Sequence, residues 1–215
     1  MLILRVATGN AASLRAAVKA AVATLRRGGV IAFPTETTYG LGCDPRNAKA
    51  VAKIFRIKGR DTSKSLPLVA SSVAQVRRLV DEQRMNDKQR TASRRLMARY
   101  WPGPLTLILP VRGASVQKAV APRGEIAIRV SSSPFVHALT LAFGFPVVAT
   151  SANLTGQPEC RSGRAVVTAF RTASHRPDLV IDMGSLPRRK PSTIVRLQDD
   201  GGIDILRRGP VRPTS

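Results

Sequence analysis

Two short polar clusters, far apart in the chain, carry side chains suited to binding a phosphate-bearing substrate. Lys58 and Arg60 offer two fixed cations, and Lys64 adds a third close by. Ser151 and Asn153 offer a hydroxyl and an amide after another hydrophobic run. Arginine can bind phosphate through two parallel hydrogen bonds, whereas lysine acts as a point charge. The sequence therefore predicts an anion site in which the cations bracket a polyphosphate.

Each cluster also has a purely structural interpretation. Lys58 and Arg60 lie at the predicted end of a helix, where cations interact favourably with the helix dipole. Ser151 and Asn153 follow a predicted strand, a position at which such residues commonly cap turns. Local chemistry alone leaves both interpretations open.

Other polar residues occur at the ends of predicted core strands. Thr35 follows the first such strand, Ser192 precedes a late one and Arg207 ends the last. Arg129 interrupts an apolar run, so it must bind an anion, pair with a carboxylate such as Glu125, or lie on an edge strand. Because ligands bind at strand ends in open sheets, we expect these residues and the two clusters to surround one pocket.

The sequence also argues against several kinds of site. No Walker-type phosphate loop occurs. Cys43 and Cys160 form no C-x-x-C pair, and neither His137 nor His175 has a spacing that completes a zinc site with them. We therefore expect no tightly bound, protein-ligated metal. Neither histidine lies near a triad pattern, and acidic residues are scarce in the polar loops. Catalysis should depend on positioning and charge stabilisation.

The composition predicts one domain that attracts polyanions. The 215 residues suit a single domain spanning residues 1–215, with a core at about 12–210 and a short C-terminal tail. Thirty-five Lys and Arg against 13 Asp and Glu give a net charge of +22. This charge favours contact with RNA or DNA, although a basic surface without a partner is the alternative. Unpaired cysteines and the lack of a signal or membrane-spanning pattern predict a cytoplasmic protein with no membrane contact.

Hydrophobic periodicity predicts alternating helices and strands. Helices are predicted at 12–27, 48–57, 71–80, 84–100, 134–143 and 163–172. Strands are predicted at 30–33, 66–69, 105–111, 126–130, 146–150, 179–183, 193–197 and 203–206. This order indicates an α/β or α+β sheet with helices packed on it. The fourth helix is the most basic, and its stripe of Arg84, Lys88, Arg95 and Arg99 is a candidate RNA contact.

Taken together, these motifs resemble those of the YrdC-type L-threonylcarbamoyladenylate synthases over about residues 12–210. The matching segments occur in the family's order: Pro34-Thr35-Glu36-Thr37-Thr38-Tyr39-Gly40-Leu41-Gly42, Lys58-x-Arg60, Trp101-Pro102-Gly103-Pro104-Leu105-Thr106, Arg129, Ser151-x-Asn153 and Ser192-Thr193. The resemblance implies a YrdC-like fold, in which a twisted mixed β-sheet is flanked by helices and presents a basic concave face.

The resemblance further implies an activity. L-threonine, bicarbonate and ATP, accompanied by Mg²⁺, would give L-threonylcarbamoyl-AMP and pyrophosphate. Downstream threonylcarbamoyl-transferase proteins would then modify the tRNA adenosine next to the anticodon, and tRNA or double-stranded RNA would be a partner. The residues implied to bind threonine are Thr35, Arg129, Ser151 and Ser192. Those implied to bind ATP are Lys58, Arg60, Lys64, Asn153 and Arg207, of which Lys58 and Arg60 would be catalytic.

Two positions depart from the family's pattern. Asp61 stands where a proline often follows the Lys-x-Arg pair, and it could pair with Arg60 and weaken its hold on phosphate. Ser65 begins a Ser-Leu-Pro-Leu segment where Lys-Pro-Leu is more usual. The alternative function is that of a YciO-like RNA-binding module without synthase activity. Such paralogues tend to lose the Lys-x-Arg and Ser-x-Asn pairs, which this chain retains.

Overall fold

The computed structural model describes residues 1–7 and 9–214. The helices within these residues are α1 Ala11–Arg26, α2 Ala48–Lys58, α3 Val73–Leu79, α4 Asp87–Tyr100, α5 Pro134–Phe143 and α6 Gly163–Phe170, with a short 3₁₀ helix at Glu82–Arg84. The strands within them are β1 Leu2–Arg5, β2 Ile31–Pro34, β3 Tyr39–Gly42, β4 Leu68–Ala70, β5 Leu105–Pro110, β6 Glu125–Val130, β7 Val147–Val148, β8 Thr150–Ser151, β9 Leu179–Asp182, β10 Thr193–Leu197 and β11 Ile203–Arg207.

The described strands form two mixed sheets. The five-stranded sheet has the order β1-β9-β2-β3-β8, and the six-stranded sheet has the order β11-β10-β5-β6-β4-β7. Parallel pairs such as β4 with β6 lie beside antiparallel pairs such as β5 with β6. The predicted mixed α/β architecture with flanking helices is therefore confirmed, with its strands divided between two sheets.

The chain passes from one sheet to the other inside a segment that was predicted as a single strand. Val147 and Val148 pair antiparallel with β4 in the six-stranded sheet. Thr150 and Ser151 pair antiparallel with β3 in the five-stranded sheet. The prediction of one strand at 146–150 was wrong, because a continuous apolar run carries no mark of the crossing at Ala149. The crossing brings Ser151 to the junction of the sheets.

Residues 34–42, which the periodicity assigned to neither a helix nor a strand, also contain a strand. Four residues form a turn at 35–38, and β3 then pairs antiparallel with β2. Gly42 in this segment allows a close backbone approach, as glycine can. A Cβ at Gly42 would lie 2.5 Å from the carbonyl oxygen of Val148. Glycine at this position therefore lets β3 pass close to β7.

The basic helix α4 begins later than its apolar pattern suggested. The Asn86 side chain accepts the backbone N–H of Gln89, and the Gln89 side chain accepts that of Asn86, which is a capping box. Arg84 therefore lies in the 3₁₀ helix before α4, and its guanidinium donates to the carbonyl of Gly124 at 3.0 Å. Of the four residues of the predicted stripe, Lys88, Arg95 and Arg99 lie on α4, whereas Arg84 lies outside it.

Two clusters of buried side chains hold these elements in place. The smaller joins α1 and α5, through residues such as Leu25 and Leu139, to strands that include Phe33 of β2 and Val69 of β4. The larger joins residues of both sheets, such as Leu41 and Leu107, to α2, α3 and α4. None of the described helices combines the length and apolar character required to cross a bilayer.

Residues 208–214 continue past β11 without a helix or strand. The Thr193 hydroxyl donates to the carbonyl of Val211 at 2.7 Å and accepts its N–H at 3.2 Å. The predicted tail is thus held along β10 at this point. Its last residue, Ser215, lies outside the described residues.

Candidate functional site

A polar cavity of about 190 Å³ is lined by residues of both sheets and of the loops between them. Strands β3 and β8 contribute from one sheet, and β5, β6, β10 and β11 from the other. Six of the nine predicted site residues line this cavity: Thr35, Arg60, Arg129, Ser151, Ser192 and Arg207. Segments separated by more than a hundred residues of sequence therefore meet at one place.

Lys58 and Asn153 contact the cavity wall without being among its lining residues. The Lys58 ammonium donates to the carbonyls of Ser151 at 2.6 Å and Asn153 at 2.9 Å, and to Asn153 Oδ1 at 3.0 Å. An ammonium has three donors, so these contacts use all of them. The Ser151 hydroxyl also donates to Asn153 Oδ1 at 2.7 Å. Lys58 therefore fixes the loop that presents Ser151, and its assignment to ATP stays a prediction.

The charge of Lys58 is set by its surroundings. Its side chain is buried, and burial together with the nearby charge of Arg60 lowers its pKa to about 8. The carboxylate of Glu159 acts in the opposite direction. The ammonium is therefore still protonated at neutral pH, close to the point at which it would lose its charge.

Arg60 reaches the cavity because α2 ends at Lys58, two residues before it. Gly59 follows the helix with φ of 55°, a left-handed conformation that glycine adopts without strain. The Arg60 guanidinium donates to the carbonyl of Ser65 at 3.1 Å, and burial lowers its pKa. Asp61 instead accepts the backbone N–H of Ser63 at 2.8 Å. The ion pairs of the described residues do not join Arg60 to Asp61, so that expectation was wrong.

Arg129 forms a buried ion pair with Glu36. It lies on β6, between β5 and β4, and its Nε donates to Glu36 at 2.9 Å. Both side chains are 6% exposed, and the Ser131 hydroxyl donates to the other carboxylate oxygen. The two alternatives for Arg129, an edge strand or Glu125 as partner, were both wrong. Glu125 pairs with Arg196 at 2.9 Å instead. Glu125 and Ala127 lie two positions apart on β6, so their side chains point to the same face of the sheet.

The ionisation of Glu36 follows from competition between burial and these partners. Burial raises the pKa of the carboxyl group, since a charge is costly away from water. The guanidinium of Arg129 and the Ser131 hydroxyl act more strongly together, so the pKa is lowered from its ordinary value. Glu36 is therefore a carboxylate at neutral pH, and Arg129 is held in one orientation.

Ser192 and Arg207 form a second hydrogen-bonded group in the cavity wall. Arg207 donates from Nε to the Ser192 carbonyl and from a terminal nitrogen to the Ser192 hydroxyl, both at 2.9 Å. The hydroxyls of Ser192 and Thr106 are 2.8 Å apart. Burial and the charge of Arg129 lower the pKa of Arg207. Arg129 and Arg207 thus lie close together at the same cavity, and the charge of Arg129 acts on Arg207.

Thr35 shapes the turn between β2 and β3. Its hydroxyl donates to the Thr38 carbonyl at 2.7 Å and accepts the backbone N–H groups of Thr37 and Thr38. Thr37 and Thr38 line the cavity as well. The Thr35 side chain therefore holds this turn, and its role in binding threonine stays a prediction.

Several site residues were missed by sequence reasoning. Glu36 and Thr106 lie inside the motifs quoted in the sequence analysis, so these two residues could have been selected. The sequence does not show which side chains they contact. Ser131 follows Arg129 by two residues, and its spacing gives no separate signal. Glu159 also lines the cavity, and no local pattern marks it. Lys64 was predicted but lines a neighbouring cavity instead.

The acidic groups of the site do not form a metal cage. Within residues 1–7 and 9–214, no group of three or more His, Cys, Asp or Glu is arranged to hold a metal ion. Glu159 is the acidic residue among the described residues that line the cavity. A single carboxylate suits Mg²⁺ that is carried mainly by substrate phosphates and water.

A mixed α/β fold with guanidinium groups and hydroxyls at one cavity defines a small-molecule-binding protein suited to anions. A family model described as telomere recombination, Sua5/YciO/YrdC, matches residues 23–209. The chain belongs to this family. A Threonylcarbamoyl-AMP synthase of Klebsiella pneumoniae is 39% identical over 178 residues, covering 83% of this chain and 90% of the relative.

Solved structures show the same likeness. The crystal structure of P. abyssi Sua5 complexed with L-threonine superposes with a TM-score of 0.83 at 29% identity, covering 97% of this chain. This chain spans 58% of the length of that Sua5 chain. E. coli YciO superposes with a TM-score of 0.81 at 28% identity, covering 98% of this chain and 97% of the YciO chain.

Proposed function

We propose that this protein is a threonylcarbamoyl-AMP synthase that forms L-threonylcarbamoyl-AMP and pyrophosphate from L-threonine, bicarbonate and ATP. The observation that supports this function most directly is the meeting of Arg60, Arg129 and Arg207 with Ser151 and Ser192 around one cavity. The substrates are a zwitterion with a carboxylate and a polyphosphate, and both need fixed cations. Curated relatives of nearly equal length carry the same activity in their name.

Arg129 is suited to hold the threonine carboxylate. Glu36 accepts the Nε–H of Arg129, and the terminal nitrogens of a guanidinium are the pair that binds a carboxylate in two parallel bonds. The hydroxyls of Ser151, Ser192 and Thr35 lie at the same cavity. Ser151 and Ser192 keep acceptor capacity for the amine of threonine, whereas the Thr35 hydroxyl is already engaged within its own turn. The buried pair thus orients the substrate before any bond is made.

The chemistry requires no protein nucleophile. Threonine's amine attacks the carbon of bicarbonate and water leaves, which gives a carbamate. A carbamate oxygen then attacks the α-phosphorus of ATP. The bond from the α-phosphorus to the bridging oxygen breaks, and pyrophosphate leaves with that oxygen's electron pair. Negative charge grows on the phosphoryl oxygens, and Arg60 and Arg207 are placed to stabilise it. Lys58 keeps the Ser151 loop in position, and Asn153 supports it.

Mg²⁺ is proposed to arrive as part of the ATP substrate. The ion commonly binds through one or two carboxylates and substrate phosphates, and it keeps several waters. Among the described residues that line the cavity, Glu159 carries the carboxylate that such an ion would bind. Its charge also acts on Lys58 and Arg207. ATP in its magnesium form would therefore meet a site with both cations and one acidic group.

Pyrophosphate release tests the synthase function directly. We expect release to require threonine, bicarbonate and ATP together, and ¹³C-labelled bicarbonate to appear in the adenylate product by mass spectrometry. A folded protein that releases no pyrophosphate, or that does so without threonine, would contradict the proposal. RNA binding in a protein without this activity would instead favour the YciO-like alternative.

We also propose that tRNA contacts the protein on its basic surface, and that downstream threonylcarbamoyl-transferase proteins take up the adenylate. The net charge of +22 and the exposed cations Lys88, Arg95 and Arg99 of α4 support an RNA contact.

We further propose that residues 1–215 act as one domain with a short tail. Cys43 and Cys160 are both buried and free, which suits the reducing cytoplasm.

RNA binding through phosphates should depend steeply on salt. Each neutralised phosphate releases counterions, so the association constant should fall by roughly 10³-fold or more between 50 and 200 mM salt if six or more contacts form. Replacing Lys88, Arg95 and Arg99 together by glutamine should reduce both affinity and salt slope in a filter-binding assay with unmodified tRNA. Binding that does not change with salt would exclude this contact.

A further inference from the structure

An apolar groove of about 530 Å³ lies between helices α1 and α5 and shares no described lining residue with the polar site. Its apolar lining comes from Leu14, Val18, Val22 and Ala23 of α1 and from Ala138 and Ala142 of α5. All of these are buried or half-buried except Ala142. The two alanines of α5 lie one turn apart on the same side of the helix. Their small side chains leave the space that forms the α1–α5 groove.

The groove has the length of a short helix. It follows α1 from Leu14 to Arg26, and a rise of 1.5 Å per residue makes this distance about 18 Å, or roughly three turns. An amphipathic helix binds a groove of this kind through apolar side chains at positions i, i+3, i+4 and i+7. Leu141, three residues after Ala138 on α5, is 64% exposed and would extend the apolar contact.

Three cations line the α1 wall of the groove without a counter-charge. Arg15, Lys19 and Arg26 are exposed, so their apolar stems can cover the wall while their charged ends reach water. None of the three takes part in the ion pairs of residues 1–7 and 9–214. The segments that form α1 and α5 contain no Asp or Glu. The groove is therefore complementary in charge to an acidic partner.

The spacing of these cations fits a helix better than a small apolar ligand. Lys19 follows Arg15 by four residues and precedes Arg26 by seven, so the three lie along one side of α1. A ligand with a single carboxylate could reach only one or two of them, whereas a helix with acidic residues four and seven apart would meet all three. The apolar lining is also recessed between two helices. A membrane-binding helix instead inserts its apolar face into the lipid.

The partner must be a different protein, because the described part of this chain contains no acidic helix. Helices α1, α2, α3, α5 and α6 lack Asp and Glu altogether, and α4 contains Asp87 alone. A second copy docked on the same groove would place Arg15 and Lys19 of both copies close together. The net charge of +22 on each copy would add to that repulsion.

We propose that the α1–α5 groove docks an amphipathic helix of a partner protein. Its apolar side chains would fill the groove, and its acidic residues would pair with Arg15, Lys19 and Arg26. This interaction does not depend on the synthase function, because the groove and the polar site are lined by different residues.

A designed helical peptide tests this proposal on the full-length protein. The probe is a fluorescein-labelled peptide of about 18 residues, with leucines at the i, i+3, i+4 and i+7 spacing and glutamates four and seven residues apart beside them. A second peptide carries glutamine in place of each glutamate. We expect fluorescence anisotropy to show that the glutamate peptide binds roughly tenfold more tightly, because it forms several ion pairs.

Two variants separate the contributions of charge and of apolar surface. Lys19→Glu should weaken binding of the glutamate peptide by roughly fivefold or more, since it replaces an ion pair with a like-charge contact. Ala142→Gln places a longer polar side chain at the groove and should weaken binding of both peptides by roughly tenfold, the effect of losing one buried apolar anchor. The matched control is Arg164→Glu, an equal charge change at an exposed position on α6 outside the groove. It should change binding by less than twofold.

Four outcomes would overturn the proposal. If neither peptide binds the wild-type protein, the groove does not dock a helix of this kind. If Arg164→Glu weakens binding as much as Lys19→Glu, the effect is one of overall charge. If Ala142→Gln has no effect, the peptide binds elsewhere. If Lys19→Glu instead reduces binding to anionic lipid vesicles or to tRNA and leaves peptide binding unchanged, this face contacts a membrane or RNA. Melting temperatures check folding, and Lys19→Gln replaces Lys19→Glu if the charge reversal lowers stability.

Discussion

Arg60→Ala is expected to slow pyrophosphate release at saturating substrates by roughly 100-fold or more, the size of effect seen when one donor to a developing charge is removed. The Arg60 guanidinium lines the polar cavity of the site and also the neighbouring cavity that Lys64 lines. Its Nε has no hydrogen-bond partner among the described residues. Within residues 1–7 and 9–214, its side chain donates one hydrogen bond, to the backbone carbonyl of Ser65. Loss of the side chain should therefore affect charge stabilisation far more than folding.

Arg56→Ala is the matched control for this change. Arg56 is exposed on α2, four residues before Arg60, and it lines neither the polar cavity nor the neighbouring one. Initial rates of pyrophosphate release should be within a factor of about two of wild type for Arg56→Ala. Melting temperatures measured in parallel should be similar for both variants. A rate for Arg60→Ala equal to that of Arg56→Ala would remove Arg60 from the mechanism.

The convergence of the site was predictable because each polar residue interrupts an otherwise apolar segment. Arg129, for example, must satisfy its charge inside a buried strand. The identity of its partner was not predictable, because Glu36 lies more than ninety residues away. The local candidate, Glu125, pairs with Arg196 on β10. Such partners depend on how the two sheets are placed, and no local pattern contains that information.

The division into two sheets was missed for a related reason. Apolar periodicity shows that Val147 and Val148 are buried, but it does not show which strand they pair with. Gly42 was equally ambiguous, because glycine suits both a turn and a close approach between strands. The Lys58 ammonium was predicted to bind phosphate directly. Its three contacts with the loop at 151–153 show that a buried cation can also act through the residues it holds.

Glu36→Gln is expected to destabilise the protein by about 3–5 kcal/mol, because it leaves the buried guanidinium of Arg129 without a counter-charge. Both side chains of the pair are 6% exposed. For a chain of this size the melting temperature should fall by about 6–20 °C. The matched control is Glu82→Gln, which removes an exposed ion pair with Arg94 at 2.8 Å. Exposed pairs contribute about 0–1 kcal/mol, so its effect should be small.

The pH dependence of stability gives an independent test of the same pair. The pKa of Glu36 is lower in the folded protein than its ordinary value of 4.5. Its stabilising contribution is therefore present above pH 4.5 and is lost as the pH falls through the folded-state pKa. The difference in the free energy of unfolding between wild type and Glu36→Gln, measured in urea, should be largest near pH 7 and should shrink below pH 4.5. A difference that stays constant from pH 7 to pH 3 would show that Glu36 is not ionised beside Arg129. In that case the orientation of Arg129 toward a substrate carboxylate would need another cause.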